Sequence, residues 1–429
     1  MVLSIAIVGA GPSAIYCVEA LKTKSPDARI DVLDRLPTPY GLVRAGVAPD
    51  HQGTKAITRV FDRIVQKPGV RFLGNVTVGG DVTLDEIRGT YDAVVLATGA
   101  TLDRRLGIPG EDLAGVIGSG AFVFWYNGHP DHVEAPADLA HVRSAVVIGN
   151  GNVAIDVARV LAKTPAEMSK SDIAPHAAAA IRGALISEIH IVGRRGPVEA
   201  NFTFAELSEL GRLGRCAPVV DAADLPADAG ALPEAVRKAK EANLATLRAF
   251  AAADHAGKPL KLRFHFHAAP VAIIGRDRVE AVRFQRAAQT FELPADLVVT
   301  CIGYRCATLG GDAGAIRLDD ARGTVSNVDG RVAGGLYAVG WAKRGPSGVI
   351  ATNRPDSHAV ADRIIGEVGA GSAKPGPDGL DRLLSARGIR AVSFGDWLKI
   401  DAVERAAAKD GAPRAKLVTF AELLAAAAR

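Results

Sequence analysis

The chain has 429 residues, enough for two or three domains with full cores. Hydrophobic residues make up 48% and charged residues 23%, an ordinary balance for a soluble enzyme, and a net charge of +4 is too mild for a nucleic-acid protein. No apolar run is long enough for a bilayer and the N-terminus lacks a secretory pattern, so a cytoplasmic setting is expected.

The first predicted strand, Ile5 to Val8, runs into Gly9-Ala10-Gly11-Pro12-Ser13-Ala14. A helix is expected over Ser13 to Lys22 and a second strand over Ile30 to Leu33, ending at Asp34. This βαβ unit has the dinucleotide-binding spacing. Gly9 makes the tight turn, Gly11 admits a pyrophosphate, Ala14 lets helix pack on strand, and Asp34 suits a free ribose diol. Tyr91 to Gly99 reads as a buried strand with a small-residue turn.

A second copy of the pattern starts at Ala145 to Ile148 and continues as Gly149-Asn150-Gly151-Asn152-Val153-Ala154. Its helix is expected from about Val153 to Ala162 and its next strand over Ile189 to Val192, with residues 163 to 187 inserted between them. That strand ends in Arg194-Arg195 rather than an acid. Adjacent guanidinium groups match a ribose 2′-phosphate. The two turns therefore predict two dinucleotides, most simply FAD first and NADPH second.

Residues 261 to 267 alternate and predict a strand, with His265 and His267 two apart on one face. No Cys or carboxylate completes a ligand set there, so a solvated face is expected and no metal. Asp296 to Gly303 and Leu336 to Gly340 predict late strands; Gly369 to Gly379 reads as a linker before a helical tail. The layout implies an α/β chain with two Rossmann-like domains, the second inserted into the first: residues 1–102 and 304–429 for FAD, residues 103–303 for NADPH. Cys17, Cys216, Cys301 and Cys306 form no CxxC pair and no cluster spacing, which argues against disulfide reductase chemistry and a resident iron–sulfur centre.

Longer motifs carry a family resemblance. They are Leu36-Pro37-Thr38-Pro39-Tyr40-Gly41-Leu42-Val43-Arg44-Ala45-Gly46-Val47-Ala48-Pro49-Asp50-His51, Ile148 to Arg159, Gly193 to Pro197 and Gly340 to Ile350. The chain resembles the adrenodoxin-reductase-like ferredoxin–NADP reductases, in their bacterial FprA-type branch. The resemblance implies a glutathione-reductase-like flavoprotein architecture. It implies that Ser13, Asp34, Leu42, Val78, Trp341 and the Gly348-Val349-Ile350 backbone meet FAD. It assigns Asn150 to Val153, Arg194 and Arg195, with Arg104, Glu206 and Gly348, to NADPH, and places His51 and Glu209 beside the nicotinamide.

The expected activity is electron transfer from NADPH through FAD to a ferredoxin or flavodoxin, by a monomer in the simplest case. An NADPH–quinone reductase, a flavin monooxygenase and a non-catalytic NADPH sensor or scaffold are the alternatives. Lys55, Arg59 and Arg63 are expected along one helix as a docking face for an acidic carrier.

Overall fold

The computed structural model describes residues 1–254, 257–310 and 316–429. Two six-stranded sheets organise it. The first has the spatial order Arg331–Ala333, Leu336–Ala338, Ala93–Leu96, Ser4–Val8, Arg29–Leu33, Val70–Leu73, parallel except for the initial hairpin. The second runs Val116–Gly118, Leu297–Thr300, Ser144–Ile148, Glu188–Val192, Leu260–His265, Cys216–Val219, parallel throughout.

Central strands such as Ser4–Val8 and Leu297–Thr300 are buried along their whole length. That is why they read as continuous apolar runs: a parallel strand is covered on both faces. The second sheet is built from residues between 116 and 300, and the first from residues before and after it, so the nesting legible in the sequence is real. The chain crosses between the sheets twice, and the two crossings pair as the antiparallel ribbon of Leu102–Asp103 with Tyr304–Arg305. Among the described residues no helix is long and apolar enough to cross a membrane.

Two expectations need correction. The Gly- and Pro-rich stretch after residue 369 is a bonded strap rather than a linker. Gly371 donates to the Met1 carbonyl, Ser372 to Asp92 and Gly376 to the Thr90 carbonyl, and Lys374 Nζ bonds the Tyr91 carbonyl at 2.8 Å. Its composition suits tight backbone approach as well as it suits disorder. Helix Pro377–Ala386 follows, and helices Phe394–Ala406 and Phe420–Ala427 close the tail.

The second correction concerns the histidines. His265 is the last residue of its strand, but His267 lies beyond the end with φ of 56°. His265 is partly buried, and its Nε2 lies 3.1 Å from Nδ1 of buried His190 on the neighbouring strand. Burial pushes the His265 pKa down to about 4, with His190 and two arginines adding to the shift.

This lowered pKa fixes a sign. A histidine kept neutral by the fold contributes stability above its unfolded pKa, and that contribution fades as pH falls from about 6.5 toward 4. Between pH 7 and 5, denaturant unfolding of the protein is expected to lose on the order of 1–2 kcal/mol more than unfolding of His265→Gln. Equal losses in the two proteins would contradict the assignment.

Candidate functional site: two nucleotide turns and a buried ion cluster

The two glycine turns are built alike. Gly9 follows strand Ser4–Val8 at φ 104°, and Gly149 follows strand Ser144–Ile148 at φ 148°. A Cβ on Gly9 would overlap the Ala97 carbonyl, and one on Gly149 the Cys301 carbonyl. In both cases the obstacle is the residue just past the end of the adjacent parallel strand, so only glycine fits. Gly9 N–H donates to the Leu33 carbonyl at 2.7 Å and Gly149 N–H to the Val192 carbonyl at 2.8 Å. Each turn is thereby tied to the strand end that leads into Asp34 or into Arg194 and Arg195.

The helices that follow, Pro12–Lys24 and Asn152–Ala162, are capped by Gly11 and Gly151 without a side-chain bond. A Cβ at either cap would meet nothing within 4 Å. Open space thus faces helix N-termini whose N–H groups lack side-chain acceptors, which is the requirement for a pyrophosphate. Ala14 is fully buried, Ser13 is buried, and Asn152 and Val153 are half-buried at the start of the second helix. Both amide atoms of Asn150 are buried without a hydrogen-bond partner among the described residues. An orphaned amide at this turn fits a polar ligand there.

The strand ends differ as their charges require. Asp34 accepts N–H bonds from Ala10 at 2.8 Å and Leu36 at 2.9 Å. Burial raises its pKa while those two bonds pull it down. Arg194 and Arg195 are exposed, and among the described residues neither forms an ion pair. Arg104 lies on the crossing ribbon, and its guanidinium bonds the carbonyls of Tyr304 at 3.2 Å and Arg322 at 2.6 Å.

Trp341 opens the short helix Trp341–Arg344, and its indole N–H donates to the Ser347 carbonyl. Tyr304 stacks on it at 6.1 Å and 17°. The preceding Gly340 abuts the side chain of Ser13, so this platform touches the first nucleotide turn. Gly348 has φ of 80°, Val349 is 62% exposed and Ile350 begins a short 3-10 turn. Leu42 begins helix Leu42–Ala45, whereas Val78 is buried in the core below the first sheet.

His51 and Glu209 do meet. His51 Nε2 is 3.2 Å from Glu209 and 3.5 Å from Glu206. Helix Phe204–Leu210, capped by Thr203, presents both glutamates, so their shared face is not simply solvated. At the centre lies Arg159, whose side chain is fully buried. It pairs with Asp50 at 2.9 Å, Asp156 at 2.8 Å, Glu206 at 3.1 Å and Glu209 at 3.2 Å. Lys163 adds a second cation on Asp50 at 2.5 Å.

The electrostatics follow from this packing. Burial opposes a charged His51, but the Glu209 bond and the charges of Asp156 and Glu206 leave its pKa above the ordinary value, against Arg159. The His51 bond holds Glu209 below the usual carboxylate range. Burial pushes Asp156 up to about 7 despite Arg159. Burial also opposes ionisation of Asp50, yet Arg159 and Lys163 outweigh it and hold that carboxyl low.

Two sets of three donor atoms, from Asp50, His51 and Glu209 and from His51, Asp156 and Glu206, lie within 4.8 Å of one another. The same carboxylates already bond Arg159 and Lys163, so the arrangement is an ion network rather than a metal cage. Arg159, Asp156, Asp50 and Lys163 were given no role on sequence grounds. The available signal was an arginine among Ala154, Ile155, Val157, Ala158, Val160 and Leu161, all buried.

The expected docking helix is broken. Helix Gln52–Lys55 ends before helix Thr58–Val65 begins, and Lys55 is buried against Asp172 at 2.6 Å. Lys55 therefore offers nothing to a carrier, whereas Arg59 and Arg63 are exposed on one face of the second helix.

Comparison with known proteins adds independent findings. A model of the pyridine nucleotide-disulphide oxidoreductase family matches residues 3–196. NADPH-ferredoxin reductase FprA of Mycobacterium tuberculosis is 42% identical, with 98% of each chain covered. The mitochondrial NADPH:adrenodoxin oxidoreductase of Arabidopsis thaliana is 37% identical over 99% of this chain and 95% of its own. A solved structure of Mycobacterium tuberculosis FprA in complex with NADPH is 40% identical and matches with a TM-score of 0.94 over the whole of both chains. By a likeness that runs from end to end, the chain belongs to the family of FprA and NADPH:adrenodoxin oxidoreductase.

Proposed function

We propose that this protein is a ferredoxin–NADP+ reductase: an FAD flavoprotein that takes electrons from NADPH and passes them to a ferredoxin or similar small carrier. The observation that carries the reading is the charge reversal between the two nucleotide turns, an acid at Asp34 and two free arginines at Arg194 and Arg195. Its family relatives bear names of the same activity. In this reading the domains divide at residues 102/103 and 303/304, with FAD on the first turn and NADPH on the second.

In this reading Asp34 holds the ribose of FAD, and Ser13, Leu42, Val78, Trp341 and the Gly348–Ile350 backbone line its cleft. Asn150 to Val153 meet the pyrophosphate of NADPH, Arg194 and Arg195 its 2′-phosphate, and Arg104, Glu206 and Gly348 border the same ligand. When bound, the flavin supplies the exchange between a two-electron hydride and single electrons. The residues contribute alignment and charge. Hydride transfer requires no general acid, so His51 and Glu209 orient the nicotinamide and set the local field. Arg159 bonds both glutamates and holds them in place.

Two outcomes check this. Arg194→Ala with Arg195→Ala removes charge-assisted bonds of about 1.5–3 kcal/mol each, so kcat/KM for NADPH falls more than tenfold while that for NADH is unchanged. Equal NADH and NADPH rates in the unmutated enzyme would remove the basis of the assignment. Arg59→Glu with Arg63→Glu should raise the KM for ferredoxin and flatten the salt dependence of turnover. Unchanged ferredoxin kinetics would place the carrier elsewhere.

A further inference from the structure

The inserted segment between helix Asn152–Ala162 and strand Glu188–Val192 carries a buried carboxylate outside the Arg159 cluster. Asp172 is 3% exposed. Its backbone N–H donates to the Pro49 carbonyl at 3.0 Å. Its Oδ1 accepts from Lys55 Nζ at 2.6 Å. Pro49 and Lys55 are the two ends of the turn that presents Asp50 and His51, and Lys55 N–H donates to the His51 carbonyl at 3.1 Å. One residue on the inner sheet's side thus grips both ends of a turn that belongs to the outer chain segment.

A second lysine reaches the same carboxylate. Lys416, from the C-terminal segment, has a fully buried side chain with Nζ 3.2 Å from Asp172 Oδ2. It also donates to the carbonyls of Asn127 at 3.0 Å and Arg44 at 3.2 Å. Burial, with Lys55 and Arg44 adding to it, holds the Lys416 pKa well below its ordinary value. Of the two amines only Lys55 lies on the turn that carries His51.

We propose that Lys55 is a positioning residue for His51: through Asp172 it locks the turn of residues 49 to 55 against the inner domain, so that His51 stays on Glu209. The proposal rests on the reading that His51 faces the nicotinamide. The groups facing His51 are Glu209, Glu206, Asp156 and Arg159, with Asp50 and Lys163 behind Arg159.

Lys55→Met and Lys416→Met are matched tests. Each removes one buried amine and leaves the other within bonding distance of Asp172. Only Lys55→Met cuts the side-chain link between the turn that carries His51 and Asp172; the backbone bond from residue 55 to the His51 carbonyl remains. In the purified flavoprotein, the NMR titration midpoint of His51 should fall in Lys55→Met, because the ring leaves Glu209, and should stay put in Lys416→Met. Flavin reduction by NADPH, followed by stopped flow, should slow on the order of ten- to a hundredfold in Lys55→Met, with NADPH affinity retained, and should hold in Lys416→Met. Equal changes in both variants would make Lys55 a structural ion only, and no change in Lys55→Met would likewise overturn the proposal. Failure of the functional reading looks different: NADPH would not reduce the unmutated protein, while a His51 midpoint that moves only in Lys55→Met would still support the clamp.

Discussion

One buried guanidinium holds together what would otherwise repel. Asp50, Asp156, Glu206 and Glu209 come from three separate parts of the chain and converge on Arg159. Without it, four carboxylates and a histidine could not share that volume at neutral pH. Removing one partner from a buried charge cluster typically costs about 3–5 kcal/mol, because the others are left uncompensated. The cluster joins the outer segment that carries His51 to the inner helix that starts at the second nucleotide turn. The junction of the two halves is therefore also the place where His51 and Glu209 are set.

Around that junction the fold repeats one solution and varies its chemistry. Both turns press a glycine against the end of a neighbouring parallel strand, and both leave a helix N-terminus without a side-chain cap. The difference lies one strand further on. Asp34 is satisfied by two backbone N–H groups, which fixes its orientation before any ribose arrives. Arg194 and Arg195 stay in solvent, where the proposed reading puts a 2′-phosphate. In that reading, a shared backbone with opposite charges distinguishes two dinucleotides.

Much of this was legible in the sequence because it is local. A glycine turn between a strand and a helix, and a charge at the end of the next strand, are set by residues about 20 apart. Continuous apolar runs marked the central strands for the same reason. The ion cluster was not legible as a cluster: Asp50 and Arg159 are 109 residues apart, and no local pattern records that they touch. Lys55 misled because a basic residue near other basic residues reads as an exposed docking face, and only the structure shows Asp172 arriving from 117 positions away. The strap after residue 369 misled in the opposite sense, since glycine and proline serve bonded turns as readily as loose ones. His267 left its strand because a residue in the left-handed region cannot continue the alternation.

The central claim is that a single chain seats FAD on the acidic turn and NADPH on the arginine turn, close enough for hydride transfer. Anaerobic titration of the purified protein tests this most directly. The account predicts a yellow protein with one flavin per chain, bleached stoichiometrically by NADPH and recoloured by oxidised ferredoxin. A colourless protein, or a flavin that NADPH leaves oxidised, would contradict it.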